Sequence, residues 1–83
     1  MLFKRRNRGA EVTEGAVFKR IHPTNLVELA EVVWVGKDSS GIPHVRYKMS
    51  YVRSDGNDPQ GTRILSVSCF MERYEASSAD AAA

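Results

Sequence analysis

Along residues 44–51 the side chains alternate without a break: His44, Arg46, Lys48 and Ser50 are polar, while Val45, Tyr47, Met49 and Tyr51 between them are apolar or aromatic. A period of two puts one set on each face of an extended chain, whereas a helix would scatter both sets around its axis. The segment is therefore expected to be a strand with one wet face, and the rest of the chain must cover the other. Just before it, Asp38-Ser39-Ser40-Gly41 is built of residues that support tight turns and tolerate positive φ. Pro43 falls at the strand's first positions, where a missing N–H is harmless. A hairpin should join this strand to the segment before it.

That earlier segment, Asn25 to Gly36, carries two signals. Leu26, Leu29, Ala30 and Val33 match the i, i+3, i+4, i+7 pattern of a helix, and Asn25 with Glu28 resembles a capping box. The run Val32-Val33-Trp34-Val35 is β-branched and aromatic, and the hairpin needs a partner, so a long strand is favoured. One or two helical turns followed by a strand remain the alternative. Further strands are expected over 16–21, stopped by His22-Pro23, and over 62–69, entered after a loop at 54–61 made wholly of turn residues. Phe70, Met71 and Tyr74 then suit one helical turn packed on the sheet, with Ser68 as its cap. Cys69 alternates with Leu65 and Val67, which reads as a small buried hydrophobe.

At 83 residues there is room for one core. No stretch approaches the ~18 consecutive apolar residues of a membrane span. The start, Met1-Leu2-Phe3-Lys4-Arg5-Arg6, lacks the basic-then-apolar layout of a secretory signal. One cysteine provides neither an internal disulfide nor a multi-cysteine zinc site, so reducing cytoplasm is the expected compartment. Lys4, Arg5, Arg6 and Arg8 gather in a segment without acids, while basic and acidic residues nearly balance from Gly15 to Glu75. Residues 1–14 are read as a flexible basic arm, 15–75 as a single small β domain and 76–83, mostly alanine and serine, as a flexible tail.

Four or five short strands in about sixty residues are too few for a sandwich and bury an apolar face best by curling. The expected fold is mainly β: a small barrel or curled antiparallel β-meander of four to five strands, with a short C-terminal helical turn. The opening Gly15-Ala16-Val17-Phe18, the long second strand ending at Lys37-Asp38, the Gly41 turn and the final Phe70 turn resemble the layout of SH3-like barrels, including the Tudor and KOW groups. The resemblance covers about residues 15–75 and concerns the fold. It departs from that layout in showing no clear fifth strand.

Catalytic chemistry finds little support. Cys69, with only His22 and His44 as bases, lacks an oriented nucleophile arrangement. No paired-ligand spacing suits zinc. In Asp55-Gly56-Asn57-Asp58, Pro59 and Ser66 stand where a calcium loop needs ligands, and no glycine-rich phosphate loop follows Gly56 or Gly61. Glu28 and Glu31 fall on opposite faces of the expected strand, as solvated groups or partners of Arg and Lys across the sheet. No enzyme, cofactor, metal or small-molecule substrate is inferred.

Binding surfaces remain. His44, Arg46 and Lys48 share one strand face and suit contacts to phosphate or carboxylate. The arm residues Lys4, Arg5, Arg6 and Arg8 add long-range attraction to a polyanion. Trp34, Tyr47 and Tyr51 contain the aromatic surface for cation–π contacts, such as the cages that Tudor-type domains build, although Tyr47 and Tyr51 fall on the expected core face. The function expected is a non-catalytic interaction module that docks on a protein partner, its basic arm meeting an acidic surface. The alternative is an RNA- or DNA-binding barrel. That alternative normally gathers its basic residues on the folded face.

Overall fold

In the computed structural model, which describes residues 12–76, the alternating segment lies in the third of five antiparallel strands of one sheet. In chain order the elements are β1 (Val17–Ile21), β2 (Val27–Lys37), β3 (Pro43–Arg53), β4 (Gly56–Ser66), α1 (Val67–Arg73) and β5 (Glu75–Ala76). The sheet order is β4-β3-β2-β1-β5, a meander whose last short strand returns to the free edge of β1. The arm residues Lys4, Arg5, Arg6 and Arg8, and residues 77–83 of the expected tail, lie outside the described residues.

The ambiguous segment is a strand over Val27–Lys37. Asn25 takes a left-handed φ of 70° in the turn before it. His22 N–H donates to the Leu26 carbonyl and Asn25 N–H to the His22 carbonyl, so the capping-box residue serves the β1–β2 turn. At the β2–β3 turn, the Asp38 carboxylate accepts from the N–H groups of Ser40 and Ile42, and Gly41 (φ 82°) closes back on the Asp38 carbonyl.

Two expectations are corrected at β4. Residues 56–61 are strand, paired with β3 from Arg53↔Gly56 onward. The turn is thereby reduced to Ser54-Asp55. β4 is an edge strand, so Pro59 disrupts no interior ladder. The register skips Gln60 between Ser50↔Pro59 and Met49↔Gly61, and Gly61 has the positive φ of 100° that this bulge calls for. The strand also ends earlier than expected, at Ser66, whose Oγ accepts from Cys69 N–H at 3.2 Å and caps α1. Ser66, not Ser68, is the cap. Cys69 is consequently on the helix and exposed, because the period-two pattern stops where the cap turns the chain.

The core lies between the inner sheet face and α1. Phe18, Ala30, Val32, Val45, Tyr47, Phe70 and Tyr74 are buried together. Phe70 packs against Phe18, Tyr47 and Tyr74 with ring centroids 5.0, 5.1 and 4.8 Å apart, separations typical of favourable edge and tilted aromatic pairs. Val12 and Ala16 pack against the same cluster.

Candidate functional site

β3 distributes its side chains by parity. Val45 and Tyr47 point into the core, and Arg46 and Lys48 are exposed on the opposite face. What surrounds Arg46 depends on an irregularity in β2. Val32 pairs with Tyr47 but Trp34 pairs with Arg46, so Val33 is an extra residue. Without that bulge Trp34 would continue the inward series of Glu28, Ala30 and Val32. The extra residue re-aims its indole to the outer face.

Trp34 lies 39% exposed there, with the Arg46 guanidinium 5.5 Å from its ring centroid, within cation–π range. The indole lies over the backbone of Gly36: a Cβ at residue 36 would sit 2.3 Å from Trp34 Cζ2. On the far side of Arg46, Ile64 of β4 is its register partner and is 52% exposed. An aromatic ring, a cation and an aliphatic side chain thus form one row across three strands. Lys48 heads the next row, between Glu31 and Thr62, and Glu31 in turn faces Val17.

The expected site residues do not all join this row. His44 Nδ1–H donates to the Ile42 carbonyl at 2.9 Å, and the ring lies 3.6 Å from Asp38. It is tied to the β2–β3 turn. The Asp38 carboxyl is held below its ordinary pKa chiefly by the Ile42 N–H, with Ser40 N–H and the His44 ring adding to the effect. Trp34, Tyr47 and Tyr51 form no cage, since Tyr47 is buried on the opposite face from Trp34.

Glu28 requires the largest correction. It is neither solvated nor paired with Arg or Lys: it is 3% exposed on the core face. His22 Nε2–H donates to one carboxylate oxygen at 2.8 Å, and the buried Tyr74 hydroxyl donates to the other. The Tyr74 hydroxyl is pushed above the ordinary tyrosine pKa, first by burial and then by its bonds with Glu28 and Tyr47. The network links the β1–β2 turn, β2, β3 and the end of α1. A buried carboxylate is tolerable only with such donors. Parity could have revealed it, since Glu28 shares the phase of Ala30 and Val32, but its partner Tyr74 is remote in sequence.

A third feature lies at the other edge. Among the described residues β5 pairs with β1 at Phe18 and Lys19, and past Glu75 two adjoining openings are both lined by Arg20 and Arg73. Among the described residues no group of three or more His, Cys, Asp or Glu side chains is placed to hold a metal ion, and no helix is long and apolar enough to cross a membrane. Comparison with known proteins returned no match to a family model, a curated protein or a solved structure.

Proposed function

We propose that this chain is a non-catalytic interaction module that docks on a protein partner through the outer face of β2, β3 and β4. The observation that carries the reading is the Trp34–Arg46–Ile64 row. A β-bulge turns a tryptophan outward onto a glycine platform, beneath an arginine that has an exposed isoleucine on its other side. Tryptophan and arginine are the residue types that dominate binding energy at protein interfaces. Lys48 adds positive charge beside the row, so the partner surface is acidic with an apolar centre. The SH3-like reading of the fold draws support from the meander order and from the return of β5 to β1 after a helical turn.

Lys4, Arg5, Arg6 and Arg8 complete the proposal as a steering arm. Deleting residues 1–9 should weaken association mainly at low salt, where charge is least screened. Replacing Trp34 and Arg46 by alanine should weaken it at physiological salt as well, because those contacts are short-range.

The deciding experiment recovers tagged protein at moderate salt, before and after nuclease treatment, alongside the Trp34→Ala/Arg46→Ala variant. A protein that stays bound after nuclease and is lost from the variant supports the reading. Recovery of nucleic acid alone would replace it with the second reading, an RNA- or DNA-binding barrel. That alternative rests on the same exposed ring and cations, which also suit base stacking and phosphate contact.

A further inference from the structure

The two openings at the β1 edge lie beyond the end of β5 and away from the Trp34 row. One, of about 260 Å³, is lined by Lys19, Arg20, Ile21, Arg73 and Glu75. The other, of about 330 Å³, is lined by Arg20, Cys69, Glu72 and Arg73. Arg20 comes from β1 and Arg73 from the last turn of α1, so two arginines from separate elements line the same space.

The neighbouring carboxylates do not consume these cations. Glu75 stands directly opposite Lys19 in the β1–β5 register, and Glu72 has a partner of its own. Glu28 is the register partner of Arg20, but its oxygens accept from His22 and Tyr74. Among the described residues neither Arg20 nor Arg73 has a carboxylate within ion-pair distance. The negative end of α1 favours a cation at Arg73, but it gives no reason for a second unpaired guanidinium across the opening.

We propose that this opening binds a phosphate group, held between the guanidinium forks of Arg20 and Arg73 with Lys19 at the rim. Two planar forks match the oxygens of a dianion better than those of a single carboxylate. The phosphate is carried either by a modified side chain of a protein or by a small phosphorylated metabolite. The opening is large enough for the group and the first atoms attached to it.

The test uses the full-length chain, isotope-labelled for NMR and titrated with inorganic phosphate at a pH above its second ionisation. Acetate at matched ionic strength is the control. Saturable shifts at the Arg20 and Arg73 side chains and at the Cys69 amide are expected. Arg73→Gln, at an exposed position, should weaken binding at least about tenfold, as loss of charged hydrogen bonds implies. Arg20→Lys should also weaken it, because the charge remains while the fork is lost.

A second readout comes from the sole cysteine. Bound phosphate should slow alkylation of Cys69 in the parent chain and not in Arg73→Gln. Tighter binding of a phosphoserine peptide than of glycerol 3-phosphate assigns the group to a protein, and the reverse order assigns it to a metabolite. Shifts that fail to saturate, that acetate reproduces, or that persist unchanged in Arg73→Gln would overturn the proposal.

Discussion

The two faces of β3 are made by one strand and differ only in parity, yet they end in opposite conditions. Inward, Val45 and Tyr47 meet Phe18, Phe70 and Tyr74 in one buried cluster, and the buried acid Glu28 has donors on both oxygens. Outward, Arg46 lies between a half-exposed tryptophan and a half-exposed isoleucine. The inner face is buried under α1, whereas the outer face leaves Trp34 and Ile64 exposed. The single extra residue Val33 sends Trp34 to that second face, so the contrast is built into the backbone. It does not arise from a shortage of core positions.

The sharpest way to break the contrast is to truncate one residue on each side. Tyr47→Ala empties a place beside two aromatic neighbours, Phe70 and Tyr74, and should cost ~3–5 kcal/mol, a large part of the ~5–15 kcal/mol that holds a small domain together. The cooperative melting transition should disappear or fall steeply in temperature. Arg46→Ala, adjacent in sequence, should stay within about 0.5 kcal/mol of the parent. Equal effects in urea unfolding would show that the two faces are not energetically distinct.

A smaller effect separates packing from polar satisfaction inside the core. Tyr74→Phe keeps the ring against Phe70 and Tyr47 but removes the hydroxyl that donates to Glu28, leaving a buried acceptor short of a partner at a cost of ~1–3 kcal/mol. The pH dependence follows from the direction of the Tyr74 shift. Its folded-state pKa is raised, so this contribution is fully present below the ordinary tyrosine value of about 10. It is lost as pH rises beyond that value, because the unfolded chain releases the proton more easily. Unfolding free energies measured from neutral to strongly alkaline pH should fall more steeply for the parent than for Tyr74→Phe. Parallel curves would mean that the hydroxyl does not hold its proton through this network.

The helix over the inner face supplies an intermediate case. Ser66→Ala removes the oxygen that accepts from Cys69 N–H and should cost ~1 kcal/mol, as loss of a helix cap typically does. Ser68→Ala should do much less. Reversal of that order in thermal melts would return the cap to the position suggested by the residue pattern.

That displaced cap illustrates what could be read in advance and what could not. β3 and its hairpin were legible because alternation and turn residues are local signals, and parity correctly put Tyr47 inside. The start of β4 was hidden because an edge strand can contain Pro59 and bulge at Gln60-Gly61, so a true strand carried the composition of a loop. Cys69 was misplaced because alternation continues for a few residues past the point where Ser66 turns the chain into α1. Of the outer-face site, Arg46 and Lys48 were legible from parity. The outward position of Trp34 was not, since it depends on a bulge that nothing in Val32-Val33-Trp34-Val35 announces. Arg20 and Arg73 are far apart in sequence and line one opening through the tertiary fold.

A substitution whose gain and loss oppose each other probes the outer face at its platform. Gly36 has no positive φ, so alanine brings no backbone strain, and it removes the entropic disadvantage of glycine in a strand, worth about 0.5–1 kcal/mol. Its Cβ would nevertheless fall 2.3 Å from the Trp34 ring. The ring is half-exposed and can swing away, giving up its contact with Arg46, so gain and loss nearly cancel and Gly36→Ala should melt within about 1 kcal/mol of the parent. The ring itself reports the difference, because Trp34 is the only tryptophan in the chain. Its emission should shift to the red and become easier to quench with acrylamide, while Arg46→Ala should produce a smaller shift. Unchanged emission in a folded Gly36→Ala variant would mean that the indole is not seated on residue 36. The outer row would then lose the fixed aromatic position that distinguishes it from an ordinary solvated sheet face.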